Sequence, residues 1–228
     1  MNYLIAGLSV TIYSVLIYVL IKSFTKRPAM PLVMCVLFGI LSAIMALGLE
    51  FAWSYYFSDF IESHPAFVFI ESFIGVSLLE EGAKWVWLVF VIYKWPTFRL
   101  YTDGILYACA IAAGFNIVEG AIYASIESNP LHMVIRSFTA VPVHFLFGIV
   151  MGFLFARFKF ENESFFWFSL IIPVVLHGLY DFFILQQYAD LLMGAAILVL
   201  IGCLALSIFI CRTAVRVDKL RMINLDVD

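Results

Sequence analysis

Charge is what this sequence has least of. Asp, Glu, Lys and Arg make up only 13% of its 228 residues, against 64% hydrophobic ones. Too little polar sequence remains to build an aqueous surface, which excludes a soluble domain and leaves an integral membrane protein. A net charge of −3 carries no nucleic-acid signal. The four cysteines, Cys35, Cys109, Cys203 and Cys211, lie in apolar segments without a C-x-x-C pair, so buried thiols are expected and not a disulfide framework. No segment shows the dyad alternation of a membrane β-barrel. No basic residue precedes the apolar stretch Tyr3–Ile21 and no small-x-small site follows it, so a retained first helix is expected in place of a cleaved signal.

What is abundant is apolar sequence in helix-length blocks. Stretches long enough for a span of about 20 residues each fall near 3–22, 31–57, 67–95, 102–126, 138–158, 165–186 and 189–211. They are separated by Lys26-Arg27-Pro28, His64-Pro65, Trp95-Pro96 and Asn129-Pro130. The expected fold is therefore an all-α polytopic membrane protein of about seven transmembrane helices. It forms a single transmembrane domain over 1–228, with core helices 67–186, flanking helices in 1–57 and 189–211, and a tail at 212–228. Lys22, Lys26 and Arg27, Lys94 and Arg99, Arg157 and Lys159, then Arg212, Arg216, Lys219 and Arg221 follow the odd-numbered helices. Under the positive-inside rule these ends are cytoplasmic, which puts the N-terminus outside and the C-terminus, with its tail, inside. Eleven of the thirteen basic residues agree; Arg136 falls on the outer side and Lys84 within a span.

Against this background a few ionisable groups inside the spans stand out. Each costs about 2.5–3.5 kcal/mol at a helix centre on insertion scales, and survives mainly by pairing or by lining a polar cavity. Glu80, Glu81 and Lys84 interrupt helix 3; Glu119, with Asn116 beside it, lies on helix 4, His144 on helix 5, and His177 and Asp181 on helix 6. Counted from the helix ends, Glu119, His144, His177 and Asp181 fall roughly 7–14 Å below the outer surface, at a rise of about 1.5 Å per residue, with Glu80 a little deeper. Four helices thus bring polar groups to one layer. Glu80/Lys84 and His177/Asp181 are i,i+4 pairs that share a helix face. Gly148-x-x-x-Gly152 permits close approach of the His144 helix to a neighbour, and Pro173 should bend helix 6. A lone Glu–Lys pair is also what a structural clamp looks like, and a single histidine in a bundle is commonly a packing residue. Two histidines with several carboxylates at one depth exceed either pattern. Glu50 and Glu71 lack a spaced partner and read as rim or structural groups.

Hydrolysis inside a membrane needs a water, a base to activate it and donors or a cation for the developing oxyanion. The candidate catalytic residues are Glu80, Glu81, Lys84, Glu119, His144, His177 and Asp181. Of these Glu80, Glu119, His144, His177 and Asp181 form a possible Zn²⁺ ligand set; the same residues also suit a metal-free mechanism. Other intramembrane designs lack support: there is no H-E-x-x-H and no Gly-x-Ser-Gly nucleophile, and Asp181 has no partner Asp for a dyad.

Glu80-Glu81-x-x-Lys84, Phe115-x-x-x-Glu119, the isolated His144 and His177-x-x-x-Asp181 together resemble the PrsW family of membrane proteases, which is related to the type II CAAX prenyl endopeptidases of the Abi or CPBP superfamily. The resemblance covers about residues 67–186. It implies site-1 cleavage of a single-pass membrane protein in the bacterial cell membrane, typically an anti-sigma factor, near its extracytoplasmic side, with Glu80 activating the water. Lys84 stands one residue before the Arg of the CAAX relatives, and Glu119 replaces their His, which argues against a prenyl-protein substrate. Two other classes remain open on the residues: a non-catalytic scaffold or chaperone subunit of the same superfamily, and a proton- or ion-coupled transporter. No internal repeat of the kind transporters show is found.

Overall fold

A computed structural model describes residues 1–8, 11, 12, 15, 30–61, 65–186 and 190–225, and every regular element among them is helical. Side chains are described except at 58–61, 65, 190–193 and 223–225. Residues 2–8 are helical. Most of the expected first span lies outside the described residues, as do Lys22, Lys26, Arg27, Pro28, Glu62, His64 and the last three residues of the tail.

The chain then forms α1 (Met30–Ile61), α2 (Pro65–Ile70), a π-helical stretch (Glu71–Leu78) and α3 (Leu79–Phe90). After a 3₁₀ turn at Ile92–Lys94 come α4 (Tyr101–Ile126), α5 (Pro130–Phe138), α6 (Ala140–Phe160), α7 (Phe165–Leu185) and α8 (Asp190–Leu225). Five described stretches are long and apolar enough to cross a membrane: Met30–Phe57, Tyr101–Ile126, Pro130–Phe160, Phe165–Leu185 and Gly194–Met222. Against the seven spans expected, most of the first lies outside the described residues. The third is helical but carries Glu71, Glu80, Glu81 and Lys84 and is not among the five.

Two boundaries differ from the sequence reading. Helix 5 was expected from residue 138, but an additional short helix, α5, precedes it. Asn129 caps α5 by accepting from the Leu131 amide at 3.0 Å, with Pro130 in the first turn. A kink at Thr139 (φ −122°, ψ −74°) separates α5 from α6. The 212–228 tail continues α8 as helix through Leu225. The expected third helix is continuous from 65 to 90, not broken, because the residues flanking its π stretch, Ile70 and Leu79, keep right-handed helical angles. A π turn holds one more residue than an α turn, so it rotates the next helical segment by about 100° relative to a straight α-helix. Glu80 and Glu81 come directly after this rotation.

Burial separates centre from periphery. The apolar windows of α4 and of α5–α6 are 67% buried, against 28% for α1 and α7 and 22% for α8. Small residues set the central crossings. A Cβ on Gly152 of α6 would collide with the Gly104 carbonyl of α4, and one on Gly114 of α4 with the Val36 carbonyl of α1. Ser42 of α1, fully buried, donates to the Ala83 carbonyl of α3 at 3.1 Å. The Trp85 indole of α3 donates to Ser169 Oγ of α7 at 2.8 Å. Helix α7 runs through Pro173. The four cysteines are free, Cys211 half-buried and the others buried.

At the opposite end of α4 from Glu119, Asp218 of α8 is buried. It accepts from the Tyr101 and Thr102 amides (2.7 and 2.9 Å) and from the Thr102 hydroxyl (2.7 Å). These amides open α4 and have no partner within their own helix. Asp218→Ala is expected to destabilise the protein by about 1–2 kcal/mol, the loss of a good cap. A melting curve checks this, and an unchanged midpoint would remove the capping role.

Candidate active site

The π stretch presses against α7 where Gly178 leaves room: a Cβ there would meet the Phe73 ring. Glu71, at the start of the stretch, accepts from the Trp53 indole of α1 at 2.6 Å. It is structurally paired, as the sequence suggested. Glu80, Glu81 and Lys84 then face α4, α6 and α7 in a buried cluster.

Lys84, 3% exposed, is the hub. Its ammonium donates to Glu81 Oε1 at 2.8 Å and Glu80 Oε2 at 3.2 Å, and stands 3.3 Å from His144 Nδ1. The Phe115 ring closes the remaining side, its centroid 3.7 Å from Nζ, a cation–π contact. The i,i+4 pair expected from sequence is present, but the shorter bond is the i,i+3 one to Glu81.

Each histidine links an inner carboxylate or ammonium to an outer carboxylate. His177 Nδ1 is 3.1 Å from Glu81 Oε1, and its Nε2 is 3.1 Å from Asp181 Oδ2. His144 Nε2 is 3.1 Å from Glu119 Oε2. An ammonium can only donate, so His144 Nδ1 accepts from Lys84; Nε2 therefore carries the proton given to Glu119. The two imidazoles meet edge-on with centroids 5.1 Å apart, and Phe147 stacks on His177 at 5.0 Å.

Four donor atoms, one each from Glu80, Glu81, His144 and His177, lie within 4.8 Å of one another. Two imidazoles and two carboxylates match a Zn²⁺ donor set. Charge points the same way: among the described residues the carboxylates of Glu80, Glu81, Glu119 and Asp181 pair with two permanent cations, Lys84 and Arg136, so negative charge is in excess. The residues present therefore fit a metal.

All seven residues singled out from the sequence join this one connected network. Glu119 and Asp181, counted there among possible ligands, bond instead to the outer nitrogens of the two histidines, and Glu81 takes the inner place. These two carboxylates are also the least enclosed, with side chains 20% and 17% exposed. Asn116 is buried and donates to the Val141 carbonyl at 3.3 Å, a tie between α4 and α6. Sequence reasoning missed Arg136, whose Nη2 donates to Glu119 Oε1 at 2.8 Å. The signal was available: Arg136 is the single basic residue that the positive-inside reading assigned to the outer side and left unexplained.

The sequence profile of the PrsW family intramembrane metalloproteases matches residues 27–209. Protease PrsW of Clostridioides difficile strain 630 is 27% identical over 173 residues, covering 72% of this chain and 71% of that protein. Protease PrsW of Geobacillus kaustophilus is 31% identical over 155 residues, covering 66% and 65%. That of Oceanobacillus iheyensis is 29% identical over 199 residues, covering 85% and 88%. No solved structure matches the chain. With the whole polar network inside the matched region, this multi-pass bacterial membrane protein belongs to the PrsW family of intramembrane metalloproteases.

Proposed function

We propose that the Glu80–Asp181 network is the hydrolytic site, and that it cuts a single-pass membrane protein of the anti-sigma-factor type near its extracytoplasmic side. The observation that carries this is the unequal load on the two glutamates. Glu81 Oε1 is held by both Lys84 and His177, whereas Glu80 bonds only to Lys84. Glu81 is thereby a fixed structural anchor, and Glu80 retains acceptor capacity for a water proton.

In this reading the water gives a proton to Glu80 as its oxygen adds to the scissile carbonyl carbon. The C–N bond then breaks, and the proton held on Glu80 passes to the departing amine. His177, oriented by Asp181, turns its Nδ1–H from Glu81 to the developing oxyanion. Zn²⁺ would be held by Glu80, Glu81, His144 and His177. When bound, such an ion lowers the pKa of its water and polarises the carbonyl.

The distribution of basic residues supports an N-terminus outside and a C-terminus inside, which sets the network in the outer half of the bilayer. The whole chain acts as one transmembrane domain, with the site carried by residues 67–186. The shared motif pattern supports common descent with the type II CAAX endopeptidases of the CPBP superfamily.

The test is cleavage of a single-pass anti-sigma factor from the same genome in liposomes, by wild type and by Glu80→Gln. Glutamine keeps the side-chain shape and removes the base. Cleavage by the first and not the second is expected; equal cleavage by both would overturn the assignment of Glu80.

A further inference from the structure

We infer that Arg136 is a positioning residue for the hydrolytic site, setting the ring of His144 through Glu119. The inference rests on the polar network being that site. Arg136 lies on α5, the nine-residue helix that precedes the kink at Thr139, and so on a different helix from every residue of the proposed site. Its guanidinium is pinned on one face by the Tyr123 ring, 3.3 Å from the centroid, and it donates to Glu119 Oε1 at 2.8 Å. The other oxygen of the same carboxylate, Oε2, takes the proton of His144 Nε2 at 3.1 Å. One carboxylate thus joins Arg136 to His144, with each oxygen assigned to one partner.

This arrangement determines what His144 offers to the centre of the site. With Nε2–H committed to Glu119, Nδ1 presents a lone pair towards Lys84, Glu80 and Glu81, at 3.3, 4.0 and 4.0 Å. That tautomer serves either chemistry: it accepts from the ammonium, or it faces a metal while the opposite nitrogen donates to a carboxylate. Glu119 is only partly enclosed, 20% exposed at its side chain. Without the guanidinium its carboxylate is free to turn to the outer surface and release the ring. The bond uses one nitrogen of the guanidinium, so a lysine ammonium that reaches the same oxygen can substitute.

The experiment measures kcat and KM in liposomes, with a single-pass anti-sigma factor of the same genome, for Arg136→Gln, Arg136→Lys, Glu119→Gln and Arg136→Gln/Glu119→Gln. Ring ¹⁵N spectra of His144 and melting midpoints are recorded for the same proteins. Arg136→Gln is expected to lower kcat by about 10–100-fold, the usual cost of losing such an outer partner, with KM little changed. Arg136→Lys recovers most of the rate, and the double variant is no slower than Glu119→Gln alone. The ¹⁵N spectrum shows a single Nε2–H tautomer in wild type and a mixture in Arg136→Gln.

Additive losses in the double variant, a rise in KM with kcat intact, or an unchanged tautomer in Arg136→Gln would each overturn the inference. Should Arg136→Gln fail to fold, Arg136→Lys with and without Glu119→Gln reads the same coupling, and additivity there is equally fatal. Glu80→Gln separates the two levels of argument. If it still cleaves, the hydrolytic assignment itself falls, and this inference with it. If it is inactive while Arg136→Gln turns over at the wild-type rate, only the role of Arg136 is lost.

Discussion

Replacing Lys84 with methionine is expected to destabilise the metal-free protein by about 3–5 kcal/mol, the usual result of deleting one partner from a buried ionic group. The ammonium bridges Glu80 Oε2, Glu81 Oε1 and His144 Nδ1 within 2.8–3.3 Å, and Lys84, Glu80 and Glu81 are all buried. Methionine keeps the unbranched stem of the side chain but leaves two adjacent carboxylates without their shared counter-charge. Three of the four residues that converge as a metal donor set, Glu80, Glu81 and His144, are the ones Lys84 now bridges. A divalent cation brought among them is repelled by the ammonium. Stoichiometric Zn²⁺ should therefore raise the melting midpoint of Lys84→Met more than that of wild type, because a ligand that binds only the folded state stabilises it in proportion to its affinity. Melting curves of both proteins, in chelator and in zinc, provide the readout. A variant that melts with wild type in chelator would show that the ammonium is not the clamp its geometry suggests. A smaller zinc effect in the variant would show that Lys84 supports the ion and does not compete with it.

The second large effect comes from a residue with no polar atom in its side chain. Gly152→Val places a Cβ where the Gly104 carbonyl now lies, so α6 and α4 must separate. Over-packing of this kind costs about 1–3 kcal/mol. The functional loss should exceed what that figure suggests. His144 and Glu119 sit on these two helices with 3.1 Å between their polar atoms, and a displacement of about 1 Å at a catalytic group costs on the order of 100-fold in rate. Cleavage by the fraction that remains folded should fall accordingly, whereas Gly194→Val, where no atom lies within 4 Å of a new Cβ, should behave as wild type. Full activity in Gly152→Val would mean that the crossing does not set the His144–Glu119 distance.

The participants in the site were legible in the chain for a thermodynamic reason. An ionisable side chain inside an apolar helix is too costly to be incidental, so Glu80, Glu81, Lys84, Glu119, His144, His177 and Asp181 identify themselves by position alone. Helical rise leads to the expectation of a common depth, and i,i+4 spacing correctly paired Glu80 with Lys84 and His177 with Asp181. The all-helical class followed from apolar blocks of span length without the alternation of a membrane barrel. The π stretch at Glu71–Leu78 was less accessible, because one extra residue in a turn leaves no compositional trace. The helix α5 was missed because a short amphipathic segment beside a longer span blends into it at the sequence level.

The tertiary structure alone decides which oxygen meets which nitrogen. Spacing fixes relations within a helix, but the pairing of Glu81 with His177, of Glu119 with His144 and of Arg136 with Glu119 depends on how five separate helices cross. Those crossings are set by close backbone approach at Gly104/Gly152 and Gly39/Gly114 and by the rotation that the π turn adds. Ångström-scale helix contacts therefore assign the inner places to Glu80, Glu81, His144 and His177 and the outer ones to Glu119 and Asp181. Residue type, which the chain order carries, does not separate the carboxylates of the two groups, since glutamates occur in both.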